Sequence, residues 1–151
     1  MPQSFAQIYI HIVFSTKCRH PFLVDETVAK KVRAYIVGIA INLHCNAIQV
    51  GGMPDHIHLL CSLSRQKTVA DLVRTIKINS TKWIKSNIDG MQNFHWQDGY
   101  GVFSVSRSQR DDVIQYIVTQ KEHHTKSSFQ DEFRLLLKRH EIEWDEKYVW
   151  D

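Results

Sequence analysis

From Ile8 to Thr16 the run IYIHIVFST is β-branched and aromatic with partial alternation, which predicts a mostly buried strand. Asp25 stands as an N-cap, and Val28, Val32, Tyr35, Ile36, Ile39 and Leu43 follow at the offsets of one helix face. Two apolar runs come next, around Ala47–Val50 and Ile57–Leu63. The intervening Gly51-Gly52-Met53-Pro54-Asp55 has turn chemistry, so the two runs should pair as an antiparallel hairpin. Thr68 can cap a second helix with Val69, Leu72, Val73, Ile76, Trp83 and Ile84 on one face and Arg74, Lys77, Thr81 and Lys85 on its flank. After a polar loop from Asn87 to Asn93, Trp96-Gln97-Asp98-Gly99-Tyr100-Gly101 leads into a short strand, Val102–Val105. A third helix from near Ser106 or Ser108 carries Val113, Ile114, Ile117 and Val118 on its apolar side. A further amphipathic segment with Phe129, Phe133, Leu136 and Leu137 precedes an acidic, aromatic tail from Glu143 to Asp151.

The order β-α-β-β-α-β-α matches, over its first six elements, the α+β ferredoxin-like split βαβ sandwich. The expected architecture is an antiparallel sheet with helices on one face plus a C-terminal helical extension. A length of 151 residues with 43% hydrophobic content suits a single domain, 1–151, with its own core. Only 6 Gly and 3 Pro exclude a collagen-like or largely disordered chain. A net charge of +3 permits an acidic partner without demanding one, and any surface for such a partner must be local because Glu141, Glu143, Asp145 and Glu146 gather at the end. Cys18, Cys45 and Cys61 are odd in number and widely spaced, which disfavours a disulfide framework and fits a reducing cytoplasm. The apolar N-terminal stretch is short and interrupted by His11, so neither a signal peptide nor a membrane span is expected.

Alternate side chains of a strand share a face, so His56 and His58 in Pro54-Asp55-His56-Ile57-His58-Leu59-Leu60 project side by side. Two imidazoles can chelate one ion, or can simply pack with hydrogen-bonded partners. On the third helix Tyr116 and Gln120 are four apart and share a face, with His123 and His124 near it one turn later. A Gln carbonyl is a hard oxygen ligand, and a His, His, Gln set leaves positions open around Mg²⁺ or Mn²⁺ for phosphate oxygens or water. Tyr116 is then a candidate covalent nucleophile; the alternative is an ordinary tyrosine of an amphipathic helix. His11 and His95 read as structural. No Ser-His-Asp arrangement or P-loop competes.

These segments resemble, over nearly the whole chain, the single-tyrosine HUH transposases of small insertion sequences and their relatives associated with repetitive palindromes. Ile10-His11-Ile12-Val13-Phe14-Ser15-Thr16-Lys17 is similar to the family's first strand, and Gly52-Met53-Pro54-Asp55-His56-Ile57-His58-Leu59-Leu60 to its HUH strand. Trp96-Gln97-Asp98-Gly99-Tyr100 resembles the segment before its fourth strand, and Tyr116-Ile117-Val118-Thr119-Gln120 its YxxxQ helix. Phe129-Gln130-Asp131-Glu132-Phe133 through Asp145-Glu146-Lys147-Tyr148-Val149-Trp150 is similar to the tail of one subgroup.

The resemblance implies His56, His58 and Gln120 as metal ligands and Tyr116 as the nucleophile that leaves a 5′-phosphotyrosine and a free 3′-OH in single-stranded DNA. It also implies hairpin-containing element ends as the DNA partner, and a homodimer in which each tyrosine completes the other subunit's site. The apolar first strand fits either an edge that pairs with its copy or burial within one sheet. Candidate DNA contacts are Lys17, Arg19, Arg74, Lys77 and Lys85, with Tyr100 or Trp96 as stacking rings. Two other classes fit parts of the pattern. A non-catalytic nucleic-acid-binding module would be indifferent to metal, and a metallohydrolase using activated water would survive loss of Tyr116.

Overall fold

The computed structural model describes residues 2–124 and 127–151. Strand β1 is Tyr9–Ser15, followed by helix α1 (Glu26–Asn42), strands β2 (Ala47–Met53) and β3 (His56–Ser62), helix α2 (Val69–Asn87) and strand β4 (Gly101–Val105). Three helices complete the chain: α3 (Arg110–Val118), α4 (Gln120–His124) and α5 (Phe129–Arg139). The four strands form one antiparallel sheet in the order β2-β3-β1-β4, the ferredoxin-like arrangement. Strand β1 is therefore central, hydrogen-bonded to both β3 and β4, and the edges are β2 and β4. Its apolar character comes from burial on both faces, not from an edge awaiting a copy.

The caps read in the sequence close both long helices. The Asp25 carboxylate accepts from the Thr27 and Val28 amides, and the Thr68 hydroxyl accepts from the Asp71 amide. Alternation then sorts the sheet into two faces. Ile10, Ile12 and Phe14 of β1 join Ile57, Leu59 and Cys61 of β3 against α1 and α2, in a core with Val32, Ile36, Leu72 and Ile76. The opposite face carries His11, Val13, His56, His58 and Phe103 and is covered by the C-terminal extension: Ile117 of α3 and Phe129, Phe133, Leu136 and Leu137 of α5. The site histidines thus lie beneath the extension, inside the protein.

The hairpin differs from its expected form. Gly51 and Gly52 belong to β2, and Pro54-Asp55 alone turns the chain. These glycines serve close approach. A Cβ on Gly51 would sit 2.7 Å from Ile117 Cγ2 and 2.9 Å from the Ile117 carbonyl oxygen, so its absence lets α3 lie directly on the sheet opposite His58. Gly52 has φ +152°, and a Cβ there would collide with the His56 carbonyl oxygen. We expect Gly51→Val to lift α3 and separate Tyr116 from His58 while the α1/α2 core persists. The expected readout is an unchanged far-ultraviolet dichroism spectrum with faster hydrogen exchange confined to α3; native-like α3 protection would contradict it.

Candidate active site

Strand alternation presents His56 and His58 together, and both are fully buried at 0% exposure. Fully buried imidazoles need partners, and each nitrogen has one close by. His56 Nδ1 lies 2.7 Å from Asp55 Oδ1, and its Nε2 lies 3.1 Å from Gln120 Oε1. The Gln120 amide nitrogen donates to the Tyr116 carbonyl at 3.2 Å, which turns Oε1 toward His56. His58 Nδ1 lies 2.8 Å from His11 Nε2, and His58 Nε2 lies 2.6 Å from Glu132 Oε1. Burial holds His11 well below the usual imidazole range, with the neighbouring His58 acting in the same direction, so His11 is neutral.

The donor set fits a divalent ion. With the Asp55 carboxylate accepting the His56 Nδ1 proton, Nε2 presents a lone pair to the lone pairs of the Gln120 carbonyl. A cation between that nitrogen and the Gln120 oxygen would be held by both. His56, His58 and Glu132 each offer a ligand atom within 4.8 Å of the others, all from buried side chains. Nitrogen and oxygen donors in that mixture can hold a divalent ion, with Asp55 and His11 orienting the rings from behind.

Tyr116 stands over this cluster in the same chain. Its ring centroid is 5.6 Å from that of His58, edge-on, and 6.1 Å from that of His11. Burial, followed by the charge and hydrogen bond of Glu132, raises the phenol well above its ordinary range, so it is protonated at neutral pH. A cleft of about 280 Å³ between α3 and α5 reaches the phenol, lined by His11, Phe103, Asp112, Tyr116, Arg139 and His140 among others. The expected single helix carrying Tyr116 and Gln120 is broken: Thr119 ends α3 with its hydroxyl donating to the Gln115 carbonyl, and Gln120 opens α4. The two residues nevertheless stay together through the Gln120–Tyr116 hydrogen bond. The side chains of His123 and His124, expected near the same face, lie outside the described residues.

Of three further members of the cluster, Glu132 and Asp55 were not singled out in the sequence and His11 was read as structural. Glu132 belongs to α5, far along the chain, and only tertiary packing brings it in. Asp55 is the residue before the histidine pair. His11 carried a usable signal, because alternation along β1 puts it opposite Ile10 and Ile12, on the face that β3 gives to its histidines.

The basic residues are dispersed. Lys77 turns inward and its ammonium donates to the carbonyls of Gln97, Asp98 and Gly99 at 2.6–3.1 Å. Burial draws its pKa down from 10.5 to about 8. Lys77 therefore anchors the 97–99 segment and is not a cation on an open helix flank. Replacing it by Met keeps the stem and removes three hydrogen bonds, for an expected loss of about 1–3 kcal/mol in urea unfolding; an unchanged midpoint would contradict this role. Lys17 reaches Asp98 at 4.0 Å, and the Arg19 guanidinium lies over Trp150 at 5.7 Å. Arg74 is exposed and Lys85 half-buried on α2. Trp96 is in the core, edge-on to Phe14 and Phe94 and donating to Ser80 Oγ at 2.9 Å, whereas Tyr100 is exposed.

A ferredoxin-like domain with a buried His-x-His strand, a glutamine carbonyl beside it and a tyrosine over it can hold a divalent ion next to a phenol. The sequence profile described as "Transposase IS200 like" matches residues 4–120, and the chain belongs to that family of transposases. It is 30% identical over 121 residues to the ISDra2 transposase TnpA of Deinococcus radiodurans, covering 76% of this chain and 84% of that protein. The crystal structure of a candidate transposase from D. radiodurans R1 superposes with a TM-score of 0.65 at 28% identity, over 80% of this chain and 95% of that one. A REP-associated tyrosine transposase bound to a REP hairpin shares the fold, with a TM-score of 0.61 at 15% identity over 82% and 73% of the two chains. No helix among the described residues is long and apolar enough to cross a membrane.

Proposed function

We propose that this transposase cleaves and rejoins single-stranded DNA through a 5′-phosphotyrosine on Tyr116, at a divalent ion, Mg²⁺ or Mn²⁺, held by His56, His58 and Gln120. The observation that carries this reading is the convergence in one chain of a phenol with two oriented imidazoles and a carbonyl oxygen. The bound ion would neutralise charge on the non-bridging oxygens of the scissile phosphate. Tyr116 Oη attacks phosphorus, the bond to the 3′ oxygen breaks, and the 5′ end stays on the protein while the 3′ oxygen leaves as 3′-OH, taking up one proton for the one the phenol gives up. The phenol proton already has the Glu132 carboxylate as its acceptor. Reversal on another 3′-OH rejoins the strand without an external energy source.

Tyr116 lies against His58 of its own chain, which supports a reaction in cis in place of the exchange of tyrosines between subunits that the resemblance implies. A homodimer built on this arrangement would join two sites that are each complete, without that exchange. The substrate is an element end carrying a hairpin, in line with the hairpin carried by one fold neighbour. Its backbone runs along α2 past Arg74 and Lys85, with Lys17 and Arg19 at the end of β1 as further phosphate contacts. Arg74→Ala and Lys85→Ala should each weaken binding uniformly across sequences and reduce the log–log salt slope by about 0.7. An unchanged slope would remove that residue from the interface.

The test of the activity is strand cleavage of a labelled hairpin oligonucleotide taken from the flanks of the reading frame, with Mn²⁺ and with chelator. Metal-dependent cleavage of the single strand, absent on the matching duplex, is expected. Cleavage that persists in chelator, or that is equal on duplex, would overturn it.

A further inference from the structure

We propose that Glu132 of α5 is a fourth protein ligand of the divalent ion, so that metal binding ties the C-terminal helix to the sheet; this rests on the metal-centre reading above. Glu132 is 6% exposed and sits among Phe129, Phe133 and the site histidines, where an ionised carboxylate requires a compensating charge. Its Oε1 is 2.6 Å from His58 Nε2, the nitrogen that His11 leaves for ligation by engaging Nδ1. With His56 it completes a cluster whose ligand atoms lie within 4.8 Å of one another. The Ser128 hydroxyl caps the first turn of α5 by accepting from the Asp131 amide, which orders the turn that carries Glu132.

A carboxylate has two oxygens, so ligation through one leaves the other for the Tyr116 phenol. The same side chain would then hold the nucleophile beside the ion. Two consequences follow from linkage. Removing Glu132 weakens the ion, and adding the ion stabilises the docking of α5, because a ligand that binds only the docked state shifts that equilibrium.

The experiment uses the full chain and Mn²⁺ alone. Its affinity is measured by calorimetry and by loss of the free-ion electron paramagnetic resonance signal, for wild type, Glu132→Ala, Glu132→Gln and His58→Ala. Hydrogen exchange of residues 129–139 is followed with and without Mn²⁺. Wild type is expected to bind and to slow exchange in α5. Glu132→Ala should lose roughly 10- to 100-fold in affinity together with the α5 protection, and the isosteric Glu132→Gln should fall between. If both Glu132 variants bind within about twofold of wild type while His58→Ala does not, the proposal fails and the histidine centre stands. If wild type itself binds no Mn²⁺, the metal centre fails and the proposal with it.

Discussion

Replacing Tyr116 by Phe is expected to lower strand cleavage by roughly a thousandfold or more while the protein keeps its fold. The ring packs edge-on against His11 and His58, and those contacts are available to phenylalanine. What is lost is one oxygen: the atom that would carry the DNA and that donates to the Glu132 carboxylate. The change in stability should be about 1.5–3 kcal/mol, the range for a hydrogen bond to a charged group, and Mn²⁺ affinity should stay within a few-fold of wild type. A metallohydrolase using activated water would retain most of its rate in this variant. Full cleavage by Tyr116→Phe would therefore transfer the chemistry to water and withdraw the nucleophile assignment.

The second large effect is expected of Gly52→Ala, a change of one methyl group away from the reacting atoms. The new Cβ meets the His56 carbonyl oxygen, and the φ of +152° is unfavourable for any side chain. The atoms that the Cβ meets are backbone, so no rotamer change relieves the contact. The β2–β3 turn must reshape, and the residue it displaces is His56. A loss of roughly 3–5 kcal/mol is expected in chemical denaturation, with weakened Mn²⁺ binding in the protein that remains folded. Stability within 1 kcal/mol of wild type would show that the hairpin tolerates a side chain there.

Much of the fold was legible because it rests on local rules. Alternation marked β1 and β3, Asp25 and Thr68 capped the helices they precede, and the β-α-β-β-α-β order called for the sheet that forms. His56 and His58 share a face for the same period-two reason. Gly51 and Gly52 misled because glycine marks either a turn or a close approach, and the sequence does not say which; here α3 and the His56 carbonyl decide it. Lys77 sits at the same helical offset as solvated lysines, yet the 97–99 carbonyls fold over it and replace water.

The rest of the site depends on packing between distant segments. The second face of the sheet is covered by α3 to α5, and nothing in the amphipathic pattern of Phe129, Phe133, Leu136 and Leu137 says which surface they bury. Once α5 docks on Val13 and Phe103, Glu132 is carried into contact with His58 and Tyr116. The position of Tyr116 beside the histidines of its own chain has the same origin, since Gly51 admits Ile117 and thereby brings α3 down onto β2 and β3. His11 was readable in retrospect from alternation, but its pairing with His58 needed the register of β1 against β3.

The central claim is that Tyr116 takes the 5′ end of a cleaved single strand. The most direct measurement is to incubate the wild-type protein with the hairpin oligonucleotide and Mn²⁺, isolate the denaturation-resistant complex, digest both components and map the linkage by mass spectrometry. The expected result is a nucleotide joined through its 5′-phosphate to the peptide containing Tyr116. Cleaved DNA with no covalent complex, or a nucleotide attached to any other residue, would contradict the account.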